Sequence, residues 1–138
     1  MMRTDIFNRF TNPFEAQRRQ KEQQQAQKDA LIQKNYAEIY SHEQAHKTAG
    51  GALAGSIVIE RNAEGIPVGG HVSIKMPSLN PKNPQKTIDD ANTVIRSAMA
   101  PSDPSGQDYA VASQASKIKM QAQAMKSEHQ GQHLDIQG

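Results

Sequence analysis

The stretch Ser41-His42-Glu43-Gln44-Ala45-His46-Lys47-Thr48-Ala49-Gly50-Gly51 constrains the chain most, because its chemistry works in only one backbone conformation. On an α-helix His42 and His46 lie one turn apart on a shared face. Two imidazoles placed so can grip one metal ion, most often zinc. Glu43 projects from the same side, offset by one residue. Its carboxylate can then act on a water at the metal without taking a ligand position. Two ligands and one base make the arrangement of a zinc protease. A chance match would leave two ordinary surface histidines on a polar helix. Against that, Ile32, Tyr36 and Ile39 fall at helical pitch on the side of His42, Glu43 and His46, so the motif is expected to face inward. Polar groups buried there without a metal would be costly to desolvate.

The 138 residues suit one small domain, and 36% hydrophobic with 4% aromatic residues and no Trp makes a thin core. A bound metal would help to hold such a core. The chain has no Cys, so disulfides and thiolate sites are excluded and any metal must sit on His and carboxylates. A formal net charge of +2 does not compel a nucleic-acid or anionic-membrane partner. Met1 to Phe10 is polar and lacks the apolar run of a secretory signal, and no stretch is long enough to span a membrane. The expected setting is cytoplasmic.

Asn12-Pro13-Phe14-Glu15 reads as a helix start, with Asn12 as cap and Pro13 in the first turn. Residues 15–34, rich in Gln, Lys, Arg and Ala, form helix readily but carry almost no apolar stripe. Residues 1–30 therefore read as a polar, helical N-terminal arm. It is either a solvated lead-in or a site for a protein partner. Its charges alternate in sign and no aromatic platform accompanies them, so there is no strong nucleic-acid signal. From Leu31 the apolar pattern begins, and the motif helix is expected to stop at Gly50-Gly51.

Ser56 to Arg61 and Ile66 to Lys75 read as two strands of a hairpin, joined by Asn62-Ala63-Glu64-Gly65. Gly69-Gly70 marks a bulge or a close backbone approach. A Pro-containing loop, Met76 to Pro84, leads to a helix opening at Asn83-Pro84 or Thr87, with Ile88, Ala91, Val94, Ile95, Ala98 and Met99 as its apolar face. Ser105-x-x-Asp108 is a capping pattern that opens a last helix with the stripe Val111, Ala115, Ile118, Ala122 and Met125. The reading is thus α+β: a small zincin-like domain over residues 31–126, with a long motif helix, a hairpin and two packing helices. Residues 127–138 read as a flexible tail, in which His129 and His133 are incidental.

In this order the blocks resemble the SprA-related family. They are His42-Glu43-Gln44-Ala45-His46, then Val68-Gly69-Gly70-His71-Val72-Ser73-Ile74, then Asn83-Pro84-x-x-Thr87-Ile88, and last Ala98 to Asp108. The resemblance covers roughly residues 38 to 116 and implies a zinc-dependent peptidase-like domain. The family usually has Glu where this chain has His71, and either type ligates zinc.

A catalytic zinc needs three protein ligands. His42 and His46 supply two. His71 is the first choice for the third, since two glycines before it let the backbone approach the helix. Asp108 is the alternative, set against a plain capping role, and Asp103 is a weaker candidate; either Asp could instead orient a ligand His. Glu43 is the expected general base, with Tyr36, Tyr40 or Tyr109 as possible second electrophiles. The expected function is zinc-dependent hydrolysis of peptide bonds in a peptide or protein substrate. The alternative is a non-catalytic module, zinc-braced or metal-free, acting through its N-terminal arm.

Overall fold

The computed structural model describes residues 12–137, with side chains through residue 130. Met1 to Phe10 and the side chain of His133 lie outside the described residues.

Helix α1 runs Pro13–Gly50 without interruption, so arm and motif share one helix. Asn12 caps it, its side chain accepting from the N–H groups of Phe14 at 3.0 Å and Glu15 at 3.4 Å. Pro13 occupies the first turn, where a missing N–H costs nothing. At the other end Gly51 takes φ +54°, a conformation costly for a residue with a Cβ, and a short 3-10 turn follows over Gly51–Leu53.

Strands β1 (Ala54–Arg61) and β2 (Pro67–Ile74) pair antiparallel. Asn62 builds the turn: its side chain accepts from the N–H groups of Glu64 and Ile66, both at 3.0 Å, while Gly65 supplies φ +80°. The register pairs Glu60 with Gly69 but Arg61 with Pro67, so Val68 is the extra residue of a bulge beside the glycine pair. On β2 the half-buried Gly70, Val72 and Ile74 alternate with exposed His71 and Ser73. Gly70 is where the sheet meets α1. A Cβ there would stand 2.6 Å from Ile39 Cγ2 and 3.2 Å from Glu43 Cγ.

Helix α2 (Pro84–Ala98) opens at Asn83, whose side chain accepts from Lys86 N–H at 3.2 Å. It buries Thr87, Ile88, Ala91, Val94, Ser97 and Ala98. Helix α3 (Gly106–Gln137) packs on it through the fully buried Ala115 and Ala122, small residues that let two helices approach closely. The architecture of the described residues is α+β: three α-helices and a two-stranded antiparallel sheet. Among the described residues no helix is long and apolar enough to cross a membrane.

Two sequence expectations are corrected. The inward stripe of α1, half-buried at Ile32, Asn35 and Ile39 and buried at Glu43, His46 and Gly50, does not pass through Tyr36. Tyr36 is exposed, stacked on Tyr40 at 5.7 Å with the Arg61 guanidinium above its ring. Asn35 faces the sheet instead and donates to Pro67 O at 3.0 Å. A strand packed on one helix covers a narrower arc than the sequence stripe allowed. Met99, expected on the apolar face of α2, lies past the helix end and is exposed. In the stretch read as a tail, the backbone from Ser127 is helical to Gln137.

Candidate metal centre

The motif helix carries His42, Glu43 and His46 where α2, β2 and the start of α3 meet. Glu43 and His46 are 5% and 6% exposed. His46 Nε2 lies 3.2 Å from His42 Nε2. Asp108 completes the group: its Oδ1 is 3.2 Å from His46 Nε2 and its Oδ2 is 3.3 Å from His42 Nε2. His42, His46 and Asp108 form a cluster able to hold a metal ion.

The hydrogen bonds outside the cluster decide what faces inward. His46 Nδ1 is 2.7 Å from the carbonyl oxygen of Ser97. A carbonyl only accepts, so Nδ1 carries the proton and a neutral His46 turns the lone pair of Nε2 inward. His42 Nδ1 is 3.3 Å from the carboxylate of Asp103, so the same reasoning turns its Nε2 lone pair inward. Two nitrogen lone pairs and a carboxylate thus converge. They repel one another unless a cation, a proton or a metal ion, lies among them. One ligand atom from each of the three side chains lies within 4.8 Å of the other two, close enough for a single ion to reach all three. The donor set of two imidazoles and one carboxylate therefore fits a divalent metal ion.

Asp108 is held for this by the cap of α3. Ser105 N–H donates to Asp108 Oδ2 at 2.8 Å, and Asp108 N–H donates to Ser105 Oγ at 3.1 Å. This is a reciprocal capping box. Burial pushes the Asp108 carboxyl up, but the Ser105 N–H, the charge His46 can carry, the Ser105 hydroxyl and His42 together hold it below its ordinary value. Capping and contact with the histidines, alternatives in the sequence, are both properties of this one side chain.

Glu43 makes no hydrogen bond or ion pair among the described residues, and no buried side-chain oxygen is left without a partner. Its carboxylate therefore opens to the cleft beside the cluster, a cavity of about 590 Å³ lined also by Gly70, Val72, Ile74, Met76, Ala98 and Val111.

His71, expected to follow the glycine pair onto the helix, is not brought to the cluster. Strand alternation places Gly70 against α1 and turns His71 outward. Its Nδ1 lies 3.1 Å from Glu60 Oε1 on the neighbouring strand, while His71 still contributes to the cleft wall. Asp103, 86% exposed, orients His42 rather than joining the cluster. None of Tyr36, Tyr40 and Tyr109 lines the cleft. Exposed His129 lies far along α3.

Sequence reasoning missed Ser97. Besides accepting from His46, it donates through Oγ to the His46 carbonyl at 2.6 Å and is fully buried. The available signal was a hydroxyl at the position where the apolar stripe of α2 continues from Val94.

Fold and site together define a small α+β domain in which an Asp from the last helix joins the two histidines of a His-Glu-x-x-His helix. The chain belongs to the SprA-related family, whose profile matches residues 10–138. No curated protein and no solved structure matches it.

Proposed function

We propose that the chain is a zinc-dependent metallopeptidase in which His42, His46 and Asp108 hold the ion and Glu43 is the general base. The observation that supports this most is the convergence of three lone-pair donors beside an unpartnered carboxylate in one cleft. Two imidazoles and one carboxylate, without thiolate, are the donor set of a catalytic zinc. When bound, zinc supplies a Lewis acid and lowers the pKa of a water toward neutrality.

The protein's own groups do the rest. Glu43 takes a proton from the attacking water, whose oxygen bonds to the acyl carbon of the peptide. As the C–N bond breaks, Glu43 returns that proton to the departing amine. Ser97 and Asp103 keep the two imidazoles turned inward through their Nδ1–H groups. Gly70 leaves the room that Glu43 needs.

Elemental mass spectrometry of the purified protein tests the site. About one zinc per chain is expected in the wild type and none in His46→Ala. No zinc after reconstitution would overturn the proposal. A non-catalytic role through the N-terminal helix is the second reading, favoured by the exposure of every residue from 16 to 27. Removing residues 1–30 separates the two, since a peptidase keeps zinc and turnover and an interaction module loses its binding.

A further inference from the structure

The metal cluster occupies only part of its cleft. The wall on the His46–Asp108 side is apolar, and four elements build it. Ile74 ends β2, and its Cδ1 lies 3.1 Å from where a Cβ on Gly50 would stand, one turn beyond His46 on α1. Met76, half-buried, follows the strand. Ala98 comes directly after Ser97, the residue that holds His46. Val111 stands one turn after Asp108 on the same face of α3. All four line the cleft, and carboxylates stand elsewhere on its wall at Glu38 and Asp103.

We infer that Ile74, Met76, Ala98 and Val111 form a side-chain subsite for one medium-sized apolar residue of the peptide, next to the bond that is cut. The inference rests on the metallopeptidase reading and names its substrate class. Nothing in this wall offers a partner to a charged side chain, which would lose its hydration there without compensation. Carboxylates around the remaining wall further disfavour an acidic residue. An aliphatic side chain gains by leaving water for this surface. Val111 is half-buried on a rigid helix and lines the cleft, so a larger side chain there reduces the room of the subsite.

Binding of glycine, leucine and aspartate hydroxamates to the zinc-loaded full-length protein, measured by calorimetry, tests this without turnover. Their shared hydroxamate anchors on the metal, so their differences report the side chain. Leucine hydroxamate is expected to bind at least about tenfold tighter than glycine hydroxamate. Aspartate hydroxamate should bind no tighter than glycine hydroxamate. Val111→Phe should erase the leucine advantage while leaving glycine hydroxamate within about threefold of wild type. Met76→Ala, in a loop where folding is less at risk, should reduce the same advantage. Equal affinity for leucine and glycine hydroxamates, or a Val111→Phe loss common to all three, would overturn the subsite alone. A protein that takes up no zinc on reconstitution, and so binds none of them, would overturn the metallopeptidase reading and the subsite with it.

Discussion

Ser97 and His46 hold each other by two hydrogen bonds that run in opposite directions. The imidazole Nδ1–H donates to the Ser97 carbonyl at 2.7 Å, and the Ser97 hydroxyl donates to the His46 carbonyl at 2.6 Å. Both residues are buried, so helices α1 and α2 are fixed to each other at the His/His/Asp cluster itself. Ser97→Ala keeps the first bond and deletes the second. It should cost about 0.5–1.5 kcal/mol in a denaturant melt while metal content stays at the wild-type level. Loss of metal in this variant would mean that the hydroxyl, and not only the carbonyl, sets the ring.

The ligand assignment separates Asp108 from His71. Asp108→Asn and His42→Ala should each lower bound zinc well below one per chain, whereas His71→Ala should leave it unchanged. Elemental analysis after dialysis reads all three. A His71→Ala protein that loses zinc would transfer the third ligand position to the strand.

Glu43 lies beside the donor atoms without being one of them. Glu43→Gln removes the base and keeps the shape, so it should bind zinc like the wild type and lose peptide hydrolysis by ~10²-fold or more. A discontinuous assay on unstructured peptides checks this, and retained turnover would sink the mechanism.

The approach of β2 to α1 depends on Gly70. In Gly70→Ala the new methyl meets Ile39 Cγ2 and, at 3.0 Å, the Val58 carbonyl oxygen. The expected loss is about 1–3 kcal/mol of stability. Gly69→Ala meets only the end of the flexible Glu60 side chain and should cost far less. Thermal melts of the pair compare the two positions, and equal losses would argue against the close approach.

Asp108 also predicts a pH dependence of the metal-free protein. Its folded-state pKa is lowered, so its stabilising contribution is present above the ordinary carboxylate range and is lost as pH falls through the lowered folded value. Melts of wild type and Asp108→Asn in chelator should therefore differ at pH 6 and converge toward pH 2. A constant difference across that range would show that the charge of Asp108 contributes nothing.

What was legible in the sequence was local. The i, i+4 spacing of His42 and His46, the adjacent Glu43, the caps at Asn12, Asn83 and Ser105, and the turn at Asn62 to Gly65 all follow from the chain within a few residues of each position. Helix pitch and capping geometry need no distant partner, so these features could be read without the fold. Gly70 was legible in part, because a glycine pair within a strand signals a close approach without naming what approaches.

Which carboxylate meets the histidines was decided by tertiary structure alone. Asp108 is 66 residues from His42, and only the packing of α3 on α2 and the turn through Asp103 bring it there. His71, nearer in sequence, turns away because a one-residue step along a strand reverses the face a side chain occupies. Ser97 likewise showed only as an interruption of an apolar stripe, since its partner sits on another helix. The sequence by itself determined a helix with two imidazoles on one face and a carboxylate beside them. The third donor, the hydrogen bonds that turn the lone pairs inward and the apolar wall of the cleft come from segments far apart in the chain, and helix and strand periodicity carry no information about which of those segments meet.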